Sequence, residues 1–233
     1  MNNKNDEANL VLLSAGSSEQ STTWRLLMQL GEATRVGLEN AGKKVAVQSV
    51  RLSPLAKEVG ASIAMGRPSA GLQGAVDKLA AADGVIVGTP VYKASYSGLL
   101  KAFLDVLDDD ILLGMPTMLA ATGGTPRHAL VPDDHMRPLF AYFRAFVTPT
   151  SVYAATEDWA DPKTLGERAS RAGEELAAQM ALDVRGSVLQ ATGKRYRRSF
   201  DPTVNTADPD EGLDFDSDLM KLAAGGSLGA PGL

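Results

Sequence analysis

The stretch Leu10–Thr23 reads LVLLSAGSSEQSTT, in which four apolar residues precede a segment with six hydroxyl side chains and one glycine. The apolar run predicts a short strand that is buried on both faces, as strands of a parallel sheet are. Beyond this segment, Leu27, Leu30 and Leu38 recur at helical spacing between Trp24 and Ala41. The stretch therefore predicts a strand, a polar loop and a helix, in that order.

The same alternation continues along the chain. Further strand-like apolar runs lie at Val45–Val50, Val85–Val87, Thr117–Ala121 and Ser151–Ala155. Helical patterns lie at Leu72–Ala82, Gly98–Leu107, Pro138–Val147 and Thr164–Val184. Strands that alternate with helices predict a parallel sheet with helices on both faces. Five strands in about 185 residues favour a three-layer α/β, flavodoxin-like fold with a five-stranded parallel sheet in the order 2-1-3-4-5.

Composition excludes several kinds of protein. Of the 233 residues, 28 are acidic and 23 are basic, and this balance argues against a nucleic-acid partner. Cysteine is absent and there are two histidines, which excludes disulfides, thiol catalysis and a histidine-rich metal centre. The beginning of the chain, MNNKNDEANL, lacks the apolar core of a secretion signal, and no apolar run is long enough to cross a bilayer. We therefore expect a cytoplasmic protein with no metal site and no membrane partner.

Composition also changes near the end of the predicted sheet. We expect one domain over residues 1–186 and a C-terminal extension over residues 187–233. The extension contains a basic cluster, Lys194–Arg198, and an acidic segment, Asp208–Asp218. Two interpretations stay open, a non-globular extension and an arm that docks on a partner.

Ligands of an open α/β sheet bind outside the carboxyl ends of the strands, near the point where strand order reverses. In this order, the loops after strands one, three and four meet there. The first loop suits a phosphate, because hydroxyls and a helix N-terminus supply donors. It lacks the endings of a nucleotide-hydrolysing P-loop and of a dinucleotide fingerprint. The alternative is an ordinary helix cap, which would need only one of these hydroxyls.

The other two loops have weaker signals. Thr89-Pro90 leads into an aromatic loop with Tyr92 and Tyr96, which could flank a planar ring or simply pack. The loop after strand four holds Gly123-Gly124, which could let backbone approach a ligand or form a plain turn.

The two histidines follow this last loop. His128 is either a pocket residue or a structural histidine, whereas His135, beside two aspartates, is expected at the surface.

Three stretches make the chain resemble a known family. They are Ser14–Thr23, Thr89–Asp105 (TPVYKASYSGLLKAFLD), and Ala121–His128 followed by Arg137-Pro138-Leu139. They are similar to the NAD(P)H-dependent FMN reductases of the flavodoxin-like superfamily. The stretches LLGMPTMLAATGGTPRHAL, RPLFAYFRAFVTPT and ATEDW resemble the branch that works with luciferase-like flavin monooxygenases.

The resemblance implies a fold that binds FMN, with NADPH or NADH as hydride donor. By position, the FMN phosphate would be held by Ser14, Ser21, Thr22 and Thr23. The ribityl chain and the pyrimidine side of the ring would be lined by Pro90, Val91, Tyr92, Lys93 and Ser95. The isoalloxazine edge would meet Thr122, Gly123 and Gly124. Candidates for the nicotinamide side are Arg127 and His128.

The resemblance also implies a homodimer or homotetramer formed through helices beside the flavin site. Two departures bear on these expectations. Many relatives place an arginine shortly after the glycine of the first loop, where this chain has Ser18-Glu19-Gln20. A tyrosine common at the tetramer interface of relatives is replaced near Asp108–Ile111 by aspartates.

In the first loop, we expect Glu19 to point away from a phosphate, because two negative charges repel.

Hydride transfer between nicotinamide and flavin needs positioning and no strong protein base, so no catalytic acid, base or nucleophile is expected. The predicted function is reduction of FMN, with the reduced flavin supplied to a two-component monooxygenase. The alternatives are a quinone or azo-type reductase that keeps its FMN bound and, in another class, a flavodoxin-type electron carrier. The carrier would bind FMN without accepting a hydride from nicotinamide.

Overall fold

The computed structural model describes residues 7–18 and 21–192. The cluster Lys194–Arg198, the segment Asp208–Asp218 and the side chain of Glu19 lie outside these residues. The division at residue 186 therefore stays a prediction. In the described ranges no helix combines the length and the apolar character that crossing a membrane requires.

Strands and helices alternate as the sequence predicts. The strands are β1 (Glu7–Ser14), β2 (Lys44–Arg51), β3 (Gly84–Tyr92), β4 (Ser95–Tyr96), β5 (Pro116–Gly123), β6 (Phe146–Val147) and β7 (Val152–Ala155). The helices are α1 (Thr22–Asn40), α2 (Ala56–Met65), α3 (Gln73–Ala80), α4 (Gly98–Leu104), α5 (Arg137–Tyr142), α6 (Pro162–Ala181) and α7 (Val184–Thr192).

The sheet has the flavodoxin-like order. β2, β1, β3 and β5 lie side by side, and both β6 and β7 pair with β5, so the long strands and β7 reproduce the predicted order 2-1-3-4-5. All of these pairs are parallel. The exception is β4, a two-residue strand that folds back antiparallel on β3. The fold prediction is confirmed, with two short strands in addition.

Three predicted helix boundaries are wrong. The helix expected over Pro138–Val147 ends at Tyr142, because Arg144 takes a left-handed conformation and Phe146–Val147 then pair with β5. The helix expected to end at Val184 stops at Ala181, and α7 begins after Asp183, another residue with positive φ. The helix Gly98–Leu107 ends at Leu104.

Two helices, α2 and α7, do not match any predicted helix, and no residue of α7 is buried. For α2 the reason is similar. Only Val59 and Ser62 of its ten residues are buried, so its sequence carries little apolar periodicity.

The core lies on both faces of the sheet. Within β1, Val11 and Leu13 belong to the cluster that packs on α4 and α5, whereas Leu10 and Leu12 belong to the cluster that packs on α1 and α6. Successive side chains of a strand point to opposite faces, so both faces of β1 are buried. This burial explains why the run LVLL shows no alternation of polar and apolar residues.

Helices α1 and α6 cover one face and approach each other closely at glycines. A Cβ atom on Gly173 would lie 2.6 Å from the Cβ of Ala33 and 2.8 Å from the backbone nitrogen of Thr34. The backbone cannot move away without separating the helices. Gly173 therefore allows the close contact that anchors α1, the helix on which the first loop ends.

We expect Gly173→Ala to lower the free energy of unfolding by about 1–3 kcal/mol, because the added methyl group overpacks this contact. Urea denaturation would measure the change. The matched control is Gly60→Ala in α2, where a Cβ atom would meet nothing within 4 Å. That substitution should stabilise the protein by about 0.5–1 kcal/mol, since alanine loses less entropy in a helix. Equal effects at the two positions would contradict the close-contact argument.

Candidate functional site

The first loop leaves the carboxyl end of β1 and curls back onto α1. The Ser14 hydroxyl accepts a hydrogen bond from the Gly16 N–H at 3.3 Å. A side chain on Gly16 would collide with the hydroxyl of Ser21, which caps α1 by accepting from the Trp24 N–H at 3.1 Å. Glycine is required at position 16 because the loop closes tightly on this cap.

The beginning of α1 offers hydrogen-bond donors. Among residues 7–18 and 21–192, no acceptor is found for the backbone N–H groups of Thr22 and Thr23. Thr22 is exposed, and so are Ser17 and Ser18 on the preceding turn. Helix N-termini with open N–H groups and nearby hydroxyls bind anions, since the helix dipole adds positive potential there. The geometry fits a phosphate.

Thr23 and Thr122 have a different position from the one the sequence suggests. Both side chains are buried, and their hydroxyl oxygens lie 2.7 Å apart. They therefore hydrogen-bond to each other and join the first loop to the end of β5. A direct contact of either hydroxyl with a ligand stays a prediction that would require this pair to rearrange.

The second loop is the hairpin between β3 and β4. Its two central residues, Lys93 and Ala94, have φ angles of 51° and 65°, and two-residue hairpins of this type usually contain Asn and Gly. Consecutive non-glycine residues with positive φ store strain, and such strain concentrates at functional sites. The hairpin places Lys93 at the surface and turns Ser95 back toward β3.

Two contacts hold this hairpin against its surroundings. The Tyr92 hydroxyl lies 3.0 Å from the Ser17 hydroxyl, so the tip of β3 meets the first loop. At the base, the Thr89 hydroxyl accepts from the Ser97 N–H at 2.9 Å. Pro90 is level with Thr122 on β5, and Val91 pairs with Tyr96. The predicted residues of the second loop are thus fixed beside the other two loops.

The third loop, which follows β5, is supported by a residue that the sequence did not indicate. Tyr153 on β7 donates its hydroxyl to the Thr125 carbonyl at 2.6 Å, and a side chain on Gly123 would collide with that hydroxyl. Burial raises the pKa of Tyr153, and the negative charge of Asp158 adds to the effect, so the phenol keeps the proton that it donates. The only signal in the sequence is one aromatic residue in a strand, which does not indicate this role.

Gly124 differs from its neighbour. A Cβ atom there would meet nothing within 4 Å, and the residue is exposed. The protein's own packing therefore does not account for glycine at this position, which lies at the rim of the site. Arg127 is exposed and His128 is half-buried on the short turn Pro126–His128.

His135 also reaches the site. It is exposed, as predicted, on the π-helical turn Pro132–Met136, but its Nδ1 lies 3.0 Å from the hydroxyl of Ser95. Sequence reasoning favoured His128 as the histidine of the pocket. The contact with Ser95 depends on a turn geometry that spacing alone does not reveal.

Comparison with known proteins points to one family. The family model of NADPH-dependent FMN reductases matches residues 8–160. An FMN reductase (NADPH) of Pseudomonas aeruginosa is 36% identical over 179 residues, which cover 76% of this chain and 92% of the relative. The NADH-dependent FMN reductase SfnF of Pseudomonas putida is 40% identical over 148 residues, 64% of this chain and 77% of the relative.

A solved structure agrees with these relatives. The X-ray structure of an oxidoreductase from Corynebacterium diphtheriae is 40% identical and superimposes with a TM-score of 0.73. The match covers 76% of this chain and 98% of that one.

The pair Thr23–Thr122 can be tested by removing its hydroxyls. We expect Thr23→Val or Thr122→Val alone to lower the free energy of unfolding by about 1–3 kcal/mol, because each leaves a buried hydroxyl without its partner. The double variant replaces both partners with groups of similar shape and should cost clearly less than the sum of the two. Urea denaturation of the four proteins provides the measurement. Additive losses would show that the two hydroxyls do not depend on each other.

Proposed function

Since this chain belongs to the NADPH-dependent FMN reductase family, we propose that it releases the FMN it reduces to a separate flavin monooxygenase of the luciferase-like type. Members of the family are oxidoreductases that use FMN and NAD(P)H, and this chain is one of them. The observation that supports an FMN site in this chain is the meeting of three loops at one edge of the sheet, with donors on one side and an open glycine on the other.

Several groups would hold the phosphate of FMN. The N-terminal turn of α1, in which Thr22 is exposed, would offer the N–H groups of Thr22 and Thr23, and the hydroxyls of Ser14 and Ser21 line the loop beside it. In this proposal Thr23 acts through its backbone, while its side chain keeps the contact with Thr122. This division of roles requires no rearrangement of the buried pair.

The ring of FMN would lie between the second and third loops. Pro90, Val91 and Tyr92 form one wall, and Lys93 and Ser95 lie at the turn of the hairpin. Gly123 and Gly124 would form the opposite edge, and the missing side chain of Gly124 would leave room for a ring. The residues present fit the group, since neutral hydroxyls, backbone amides and one lysine would surround a ligand that carries a phosphate and a polar ring edge.

When bound, FMN accepts a hydride from the reduced nicotinamide, and the protein supplies position and hydrogen-bond donors. Backbone N–H groups near the third loop would favour the negative charge that develops at the polar edge of the ring. Arg127 is exposed at that loop and His128 follows it, so both are candidates for binding the nicotinamide nucleotide. No protein acid, base or nucleophile takes part in this mechanism.

The proposal includes two kinds of protein partner. The resemblance of the stretches around β5 and α5 to the luciferase-linked branch supports delivery of reduced flavin to a monooxygenase. A homodimer or homotetramer is also part of the proposal. A groove of about 420 Å³ between α4 and α5 supports it. Its lining combines apolar with charged side chains: Leu104, Leu107, Leu139 and Phe143 with Lys101, Asp105 and Asp109. At its edge, Tyr142 is exposed and donates to Asp109.

Anaerobic turnover tests the function. Reduced nicotinamide should disappear in proportion to added FMN over many turnovers, and separate runs with NADPH and NADH give the donor preference. After the reaction, ultrafiltration should find reduced flavin in the filtrate. Oxidation of one equivalent per chain, with flavin retained by the protein, would contradict release and favour a quinone or azo-type reductase. Flavin binding without any oxidation of nicotinamide would favour an electron carrier.

We expect Gly124→Ala to weaken FMN binding by about tenfold and to leave the free energy of unfolding nearly unchanged. The protein alone has room for the added methyl group, but a flavin ring that packs against the loop would collide with it. Flavin fluorescence titration and urea denaturation measure the two effects. Gly60→Ala serves as the control for glycine replacement and should leave FMN affinity as it is. Unchanged affinity in Gly124→Ala would place the ring elsewhere.

A further inference from the structure

The third loop, residues 124–129, is hydrogen-bonded to the rest of the protein at one point. The Tyr153 hydroxyl donates to the Thr125 carbonyl at 2.6 Å. In the described part of the chain, no other hydrogen bond joins residues 124–129 to another element. All of these residues are exposed except His128, which is half-buried. The tyrosine hydroxyl is therefore the polar contact that holds this loop.

The backbone that carries this tyrosine is firmly held. Tyr153 is buried in β7, where it is level with Ala121 of β5. Arg168 of α6 donates to the Tyr153 carbonyl at 3.1 Å and forms an ion pair with Asp158. Asp158 in turn accepts from the Ala155 N–H at 2.7 Å. These contacts attach the carboxyl end of β7 to α6, so the phenol projects from a fixed strand.

The phenol is a buried titratable group to which the mechanism above gives no role. Burial raises the pKa of Tyr153, and the negative charge of Asp158 adds to the effect, so the hydroxyl stays protonated and remains a donor. A side chain on Gly123 would collide with this hydroxyl. Glycine at position 123 thus preserves the space in which the tyrosine reaches the loop.

The loop that the tyrosine holds offers a backbone donor. Gly124 is exposed, and among the residues that the structure describes no acceptor is found for its N–H. In the proposed function this loop borders the polar edge of the flavin ring, where negative charge develops when the ring is reduced. A donor that is already fixed in place stabilises such charge better than one that must first be ordered.

We propose that Tyr153 is a positioning residue that raises the affinity of the site for reduced FMN relative to oxidised FMN, because it holds the backbone of the third loop beside the ring. The inference rests on the proposed function, since it takes FMN as the ligand. Tyr153 acts through the Thr125 carbonyl and is not a catalytic residue. Its contribution favours hydride transfer, since stabilising reduced flavin lowers the free energy of the product.

Replacing the tyrosine with phenylalanine removes the hydroxyl and keeps the ring. We expect Tyr153→Phe to raise the dissociation constant of reduced FMN by about tenfold and that of oxidised FMN by less than about threefold, because the freed loop loses its donor position where charge has developed. Fluorescence titration measures the constant of oxidised FMN. Anaerobic ultrafiltration with dithionite-reduced FMN measures the other, and circular dichroism checks the fold.

The matched control is Thr117→Val, at the opposite end of β5. Thr117 is buried, and its hydroxyl also donates to a backbone carbonyl, that of Met115 at 2.9 Å. The substitution removes one buried hydroxyl and keeps the shape of the side chain. It should lower resistance to urea, since it leaves a carbonyl without its donor, and it should leave the ratio of the two FMN constants unchanged.

Three results would overturn the inference. They are an equal loss of both forms of FMN in Tyr153→Phe, which would indicate a purely structural role, no loss of either form, and the same change of ratio in Thr117→Val. If the unaltered protein reduces FMN and Tyr153→Phe gives any of these results, only this inference falls. An unaltered protein that binds neither form of FMN overturns the proposed function as well.

Discussion

β1 is hydrogen-bonded along its whole length to β2 and, from Leu10 onward, to β3, and this pairing determines where every loop of the site begins. Ser14 is thereby level with Arg51 on one side and Gly88 on the other. A slip of one residue would exchange side chains of β1 between the two core clusters, and the close packing of both clusters opposes it.

Side-chain contacts then join the loops that start at this edge. The Ser17–Tyr92 contact links the first loop to the second, and Thr23–Thr122 links the beginning of α1 to the end of β5. Ser95 is in turn linked to His135 on the following π-helical turn. Each link joins residues that are far apart in sequence, so the loops position one another. A site that works by holding two planar rings in register depends on such mutual positioning.

The sequence predicted the order of the sheet because LVLL at β1 and the equivalent runs at β3 and β5 are apolar on both faces, which only a doubly covered parallel sheet requires. It also predicted which loops meet, since topology alone determines that. It could not predict the contact of Thr23 with Thr122 or the support from Tyr153, because these depend on side-chain directions across the sheet. The pairing of Phe146–Val147 with β5 escaped prediction for a related reason, since the apolar spacing of that segment also suits a helix.

The three glycines of the site differ in whether the packing of the protein requires them. A side chain at Gly16 would collide with Ser21, and one at Gly123 would collide with Tyr153. Packing within the protein therefore requires glycine at both positions. A Cβ atom at Gly124 would meet nothing within 4 Å, and the φ angle of this residue is not positive. Neither packing nor backbone conformation therefore requires glycine there. Gly124 directly follows the last residue of β5, at the carboxyl edge of the sheet. In the proposed function, a ring that lies against the backbone would account for glycine at position 124.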